Sequence, residues 1–144
     1  MKTRLTVLIA VLAAALVLGS GCATTSQGAT KTIEVSMDDV LRQSAITRDV
    51  TLSVGDTLKV MLGANRSTPY RWTADPKIGD SAILKQTGHE YLRQHTDRVG
   101  APGNEVWTFT ALKAGKTTIV AGYASVVGGD TSPTCTFTAN VTVQ

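Results

Sequence analysis

The sequence predicts an all-β domain, an antiparallel β-sandwich of about seven or eight short strands. Three observations predict it. Apolar and polar residues alternate with period two in most hydrophobic segments, the signature of strands with one buried face. β-Branched residues dominate those segments. Turn signals such as Gly55-Asp56 and Lys113-Ala114-Gly115-Lys116 separate them at short intervals.

In order along the chain, Ile33-Glu34-Val35 is a candidate first strand. Met37 to Ile46 (MDDVLRQSAI) holds the one weak helical signal. Asp49 to Val54 places Val50, Leu52 and Val54 on one face, and Thr57 to Leu62 does the same with Leu58, Val60 and Leu62. Ala82 to Leu92 gives one or two strands around Gly88. Trp107, Phe109 and Ala111 alternate with threonines. Ile119, Ala121 and Tyr123 alternate in the next run. In the last, Cys135, Phe137, Ala139, Val141 and Val143 face one way, and Thr136, Thr138, Asn140 and Thr142 the other.

The N-terminus reads as a targeting segment. Lys2 and Arg4 form a basic head, residues 5–18 are nearly all apolar, and small residues lead to Cys22. The apolar run is short for a membrane-spanning helix and has the layout of a secretory signal peptide. Gly21-Cys22 resembles a bacterial lipobox, with Gly19 where Leu or Val is usual, which implies cleavage after residue 21 and lipidation of Cys22. The expected organisation is a signal peptide over 1–21, a small, polar, lipidated tether over 22–31, and one domain over 32–144. The expected location is the cell envelope, and Ala23 after the cysteine implies the outer membrane where the cell has one.

Charge and chemistry exclude several classes. Without Lys2 and Arg4 the formal charge falls from +3 to +1, so the basic balance is partly a targeting feature and gives no case for nucleic-acid binding. With Cys22 lipidated, Cys135 has no partner within the chain, and an exported domain must hold by packing alone. Cys135 sits at an inward position of the last strand, where a buried, inert thiol is expected. His89 and His95 are six apart, not the four of a helical zinc motif. On a helix they face different ways, and on a strand they lie about 20 Å apart. No phosphate loop or nucleophile elbow is present. The expectation is a monomeric binding module, not an enzyme, with no cofactor or metal.

Three loops carry the functional candidates. In Asn65-Arg66-Ser67-Thr68-Pro69-Tyr70-Arg71-Trp72, Pro69 fixes its own φ and pushes Thr68 extended, and the Asn65 side chain can brace a turn. A stiff loop displaying Arg66, Ser67 and Thr68 is expected, with Tyr70 and Trp72 on one strand face and Trp72 in the core. The second loop, Arg98 to Asn104, contains Gly100, Ala101, Pro102 and Gly103, whose glycines permit close backbone approach. The third runs from Ser125 to Pro133 and puts Val126 and Val127 before Gly128-Gly129.

These loops, in this order, resemble the chagasin family of cysteine-protease inhibitors. The family's first loop reads Asn-Pro-Thr-Thr-Gly, then an aromatic, one residue and Trp. Asn65, Thr68, Tyr70 and Trp72 match, Ser67 replaces a threonine, Arg66 stands for the proline and Pro69 for the glycine. Gly100, Gly103 and Glu105 fit the second pattern, Gly-x-x-Gly-x-Glu. In the third, the strand-ending Tyr123 is present, and Ser125, Val126 and Val127 replace Arg-Pro-Trp. The resemblance runs from about Val50 to the C-terminus. It implies an immunoglobulin-like sandwich whose three loops wedge into the cleft of a papain-like cysteine protease. Ser67 and Thr68 would lie near the catalytic thiol and histidine, the Gly100–Gly103 loop would flank the cleft, and Val126 and Val127 would make an apolar contact. The alternative is a non-inhibitory envelope lipoprotein that uses the same sandwich to bind another protein or a ligand.

Overall fold

A computed structural model describes residues 27–144. Among the described residues, nine strands and one short helix follow in order as β1 (Thr30–Val35), α1 (Met37–Arg42), β2 (Ala45–Leu52), β3 (Thr57–Ala64), β4 (Tyr70–Trp72), β5 (Lys77–Ile78), β6 (Leu84–Arg93), β7 (Gly103–Ala111), β8 (Gly115–Ser125) and β9 (Cys135–Val143). One sheet has the order β1-β3-β7-β6. The other has β2-β9-β8-β4, with β5 also on β8.

The expected sandwich is present, with mixed rather than wholly antiparallel sheets. β1 pairs parallel to β3, and β2 parallel to β9. Alternation reports which face a residue occupies, not which way its neighbour runs, so it could not carry the antiparallel expectation for these two pairs. The cause is α1. β1 ends beside Leu62, the chain crosses the end of the sandwich through α1, and β2 begins as an edge strand of the opposite sheet. The helix is short but well started. Ser36 Oγ caps it by accepting from the Asp39 backbone N–H at 3.1 Å, and Asp38 and Asp39 lie in its first turn, where negative charge suits the helix dipole.

The inward faces are those the alternation predicts. Leu58, Val60 and Leu62, Trp107 and Phe109, Ile119, Ala121 and Tyr123, and the five inward residues of β9 are all buried. Val54 is not. β2 ends at Leu52, and Val54 lies in the following turn, half exposed. The domain also starts earlier than residue 32, because Thr30 and Lys31 already pair with Thr57 and Leu58.

The two poles of the sandwich differ. At the base, Gly55 turns with φ +90°, and the buried Asp56 carboxylate accepts from the backbone N–H groups of Ala29 and Ser53, both at 2.8 Å. The start of β1, the β7–β8 turn and the end of β9 lie at this pole. At the crown lie α1 and the loops β3–β4 (residues 65–69), β6–β7 (94–102) and β8–β9 (126–134). Gly63 sets the fit between crown and sheet. A Cβ there would lie 2.3 Å from Met37 N and 2.5 Å from Met37 Cα. Those are backbone atoms and must shift together. Gly63→Ala is expected to cost about 1–3 kcal/mol, as overpacking does, read as a lowered urea midpoint. Gly129→Ala, at a position with nothing within 4 Å, is expected to stay within about 0.5 kcal/mol.

Candidate functional site

The first loop is a closed turn. Thr68 N–H donates to Asn65 O at 3.1 Å, and the Asn65 carboxamide oxygen accepts from Ser67 N–H at 3.0 Å and Ser67 Oγ at 2.6 Å. Asn65 braces the turn as its residue type predicts. Thr68 Oγ1 donates to Asn65 O at 2.7 Å. The loop contains no left-handed residue, so Pro69 fits without strain. Arg66, Ser67 and Pro69 are exposed, Asn65, Thr68 and Tyr70 half-buried.

The three loops meet. Asn65 Nδ2 donates to Gly100 O at 3.1 Å, which joins the first loop to the second. Val126 N–H donates to Pro69 O at 2.9 Å, which joins it to the third. Gly100 has φ +82°, as a glycine-dependent turn requires. Gly103, expected in the loop, is instead the buried first residue of β7. Its role is close packing, since a Cβ there would come within 2.4 Å of Leu92 O. Ala101 and Pro102 are half-buried beside it. In the third loop β8 ends at Ser125, whose Oγ donates to Val127 O at 2.8 Å. The Asp130 carboxylate accepts from Ser132 N–H at 2.9 Å, and hydrogen bonds from Ser132 hold its pKa below the usual value.

Apolar exposure concentrates at this pole. Val126 and Val127 are 61% and 60% exposed, and Val99 protrudes fully from the second loop. Leu41 on α1 and Leu92 at the end of β6 are exposed nearby, whereas at the base Val54 and Leu112 are the exposed large apolar residues. A groove of about 660 Å³ runs between α1 and the first loop, lined by Val40, Leu41, Pro69, Tyr70, Pro102 and Tyr123. Tyr70 and Tyr123 stack at 5.7 Å to form its floor.

Arg66 is exposed, its side chain 47% so, and it is also fastened to the sheet. Its Nε donates to Glu105 Oε1 at 2.9 Å, its Nη2 lies 2.7 Å from the same oxygen, and its guanidinium covers the Tyr91 ring at 4.2 Å. Glu105 Oε2 bonds His89 Nε2 at 2.7 Å, and the His89 ring stacks on Trp107 at 4.9 Å. The Glu105 side chain is only 5% exposed. His89 is therefore committed to a carboxylate and an indole, and among the described residues no cluster could hold a metal ion. Cys135 is fully buried, and burial pushes its thiol pKa up, away from the reactive thiolate.

Sequence reasoning missed Arg71. Its guanidinium donates to the carbonyls of Thr68, Tyr70 (2.7 Å) and Arg66 (3.0 Å). No spacing rule signals such a side-chain-to-carbonyl clasp. Glu105 entered the sequence reading only through the family pattern, although a carboxylate in register with Trp107 and Phe109 must face inward and so needs partners. Cys22 lies outside the described residues.

Comparison with known proteins supports the same assignment. The model of the Chagasin family peptidase inhibitor I42 matches residues 51–141. No significant match is found among curated protein sequences. Among solved structures, the chain resembles the cysteine protease inhibitor EhICP2 from Entamoeba histolytica (20% identity, TM-score 0.61, covering 80% of this chain and 97% of that one). It also resembles PbICP-C, solved in complex with falcipain-2 (23% identity, TM-score 0.58, 81% and 100%). Amebosin, known from a solution structure, aligns at 25% identity and TM-score 0.51, over 69% and 96%. With most of its β-sandwich inside the matched span and a chagasin-type order of loops at the crown, the chain belongs to the chagasin family of peptidase inhibitors and is not an enzyme.

Proposed function

We propose that this domain inhibits papain-family cysteine proteases by seating the three crown loops in the active-site cleft, and that a lipid on Cys22 tethers it to the cell envelope. The observation that carries the reading is the hydrogen-bonded junction of the loops, Asn65 to Gly100 and Val126 to Pro69, at the pole where exposed apolar side chains gather. Such a patch on a small domain marks a docking surface.

Inhibition is by occlusion, with no bond made or broken. Ser67 and Pro69 form the exposed tip of the central loop and enter deepest, with Thr68 between them. Gly100, Ala101 and Pro102 flank the cleft on one side, and Ser125, Val126 and Val127 on the other. Because the loops are already bonded together, little conformational entropy is lost on docking, which favours affinity.

The polarity of the fold suits a tether. The described chain enters at the base, where Ala29 bonds Asp56 and Thr30 pairs with Thr57. β3 then spans eight residues from base to crown, about 25 Å at the rise of a strand. A lipid held by the tether would leave the crown facing away from the membrane, open to a protease in solution.

The test is inhibition of papain and a cathepsin-L-type protease by residues 23–144. Stoichiometric, cleavage-resistant inhibition is expected. No inhibition at micromolar concentration would overturn the inhibitor reading and favour an envelope-binding module with another partner. Metabolic labelling with a fatty acid, lost in Cys22→Ala, tests the tether separately.

A further inference from the structure

We infer that Arg66 and Arg71 are positioning residues that together fix the shape of the first loop, Arg66 by fastening it to the sheet and Arg71 by gathering its carbonyls. The inference deepens the inhibitor reading above, since a fixed first loop is what a wedge needs.

The sequence creates the requirement. Compared with the family pattern, Arg66 occupies the proline position and Pro69 the glycine position. A ring constraint at one place has become a flexible side chain, and the constrained residue has moved three positions along. The turn still closes through Asn65. The described chain has no disulfide to hold it, since Cys135 is free.

Two guanidinium groups supply the missing constraint. Arg71 reaches back from β4 and donates to three carbonyls of one short segment, those of Arg66, Thr68 and Tyr70. These bonds converge on a planar fork, a geometry that arginine offers and the single ammonium of lysine does not. Arg66 reaches out of the loop to the sheet. It places two nitrogens on Glu105 Oε1 while lying over Tyr91. Glu105 pairs in register with Tyr91 of β6, and the second loop joins β6 to β7. The Arg66 side chain therefore ties the first loop to both roots of the second. His89 occupies the other oxygen of Glu105, so the carboxylate is held in place whether or not Arg66 is present. The anchor is built into the sheet, and the loop is fastened to it.

The test compares Arg66→Met, Arg71→Met and Arg71→Lys with wild type in the full domain, residues 23–144. Amide hydrogen exchange at residues 66–68, 70 and 71 of the free protein is read beside the urea midpoint and the inhibition constant for papain. Each methionine variant is expected to speed exchange in this segment by about tenfold or more, as local opening does when one or two bonds are lost. Exchange at the base end of β9, residues 139–143, is expected to stay unchanged. Arg71→Lys should recover little. Glu105→Gln should loosen the loop at least as much as Arg66→Met, since it also weakens the His89 contact, and adding Arg66→Met to it should loosen the loop no further, because that fastening is already lost. Inhibition should weaken by about tenfold in both methionine variants, mostly through a slower approach to the docked state or faster release. Loop exchange unchanged in both variants would overturn the inference. So would a uniform rise in exchange across all strands, which would mark an ordinary stability residue. Selective loosening of the loop in a domain that fails to inhibit papain would uphold the positioning role and count against the inhibitor reading alone.

Discussion

Trp72→Ala is expected to lower the unfolding free energy by about 3–5 kcal/mol, the usual cost of emptying a buried tryptophan site. The side chain is 5% exposed and rests against Tyr123, ring centroids 5.1 Å apart. It belongs to β4 of one sheet, yet its Nε1 donates to Gly63 O on β3 of the other at 2.9 Å. It thus joins the sheets directly beneath the first loop, at the glycine that also seats α1. Removal leaves a cavity and a buried carbonyl without its donor, and the second loss adds about 1 kcal/mol or more. A domain of this size has only about 5–15 kcal/mol in hand, so the variant should sit close to its unfolding threshold. Trp72→Phe separates the two losses, since it keeps most of the packing and removes only the donor. Urea unfolding gives both numbers. A midpoint for Trp72→Ala within the range of a surface substitution would show that Trp72 does not join the sheets energetically.

The core was legible in the sequence because strand burial has a period, and a period can be counted. Trp107, Phe109 and the inward residues of β9 all occupy the face assigned from alternation alone, and Trp72 is buried as its residue type suggests. β5, two residues long, was invisible because no alternation can be read from so short a segment. The parallel pairing of β1 and β2 was invisible for a different reason. It depends on where α1 carries the chain, and the capping interaction at Ser36 that starts α1 is one hydrogen bond in a weakly patterned stretch.

The site was legible as loops and less so as chemistry. Turn residues act locally, so Asn65, Pro69 and Gly100 could be placed by residue type, and the structure finds each in a conformation that suits it. Arg66 and Arg71 act over distance. An arginine that only faces solvent and one that also binds a carboxylate thirty-nine positions away have the same local sequence signal. Gly103 was assigned to the loop as a glycine that permits positive φ or close approach to a partner, whereas here it admits the backbone and ring of the neighbouring strand. The same residue type answers two different steric demands, and only the packed neighbour separates them.

Replacing both valines of the third loop, Val126→Asp with Val127→Asp, is expected to weaken papain inhibition by at least about 100-fold, or some 2.7 kcal/mol at 1.4 kcal/mol per tenfold. Both side chains are about 60% exposed, so the free domain has little to lose, and its urea midpoint should move by no more than about 0.5 kcal/mol equivalent. In the docked state the same positions would carry two carboxylates into an apolar contact, where unpaired charge is costly. The opposite change has the opposite sign. Val127 stands where the family pattern has tryptophan, and an aromatic anchor at the centre of an interface often contributes about 2 kcal/mol or more. Val127→Trp is therefore expected to tighten inhibition by about tenfold or more. The loop can carry the larger side chain, because the space around Gly128 and Gly129 beyond it is open, with nothing within 4 Å of where a Cβ would stand. If neither variant shifts inhibition while the wild-type domain inhibits papain, the third loop does not touch the protease, and the contact must rest on the first two loops alone.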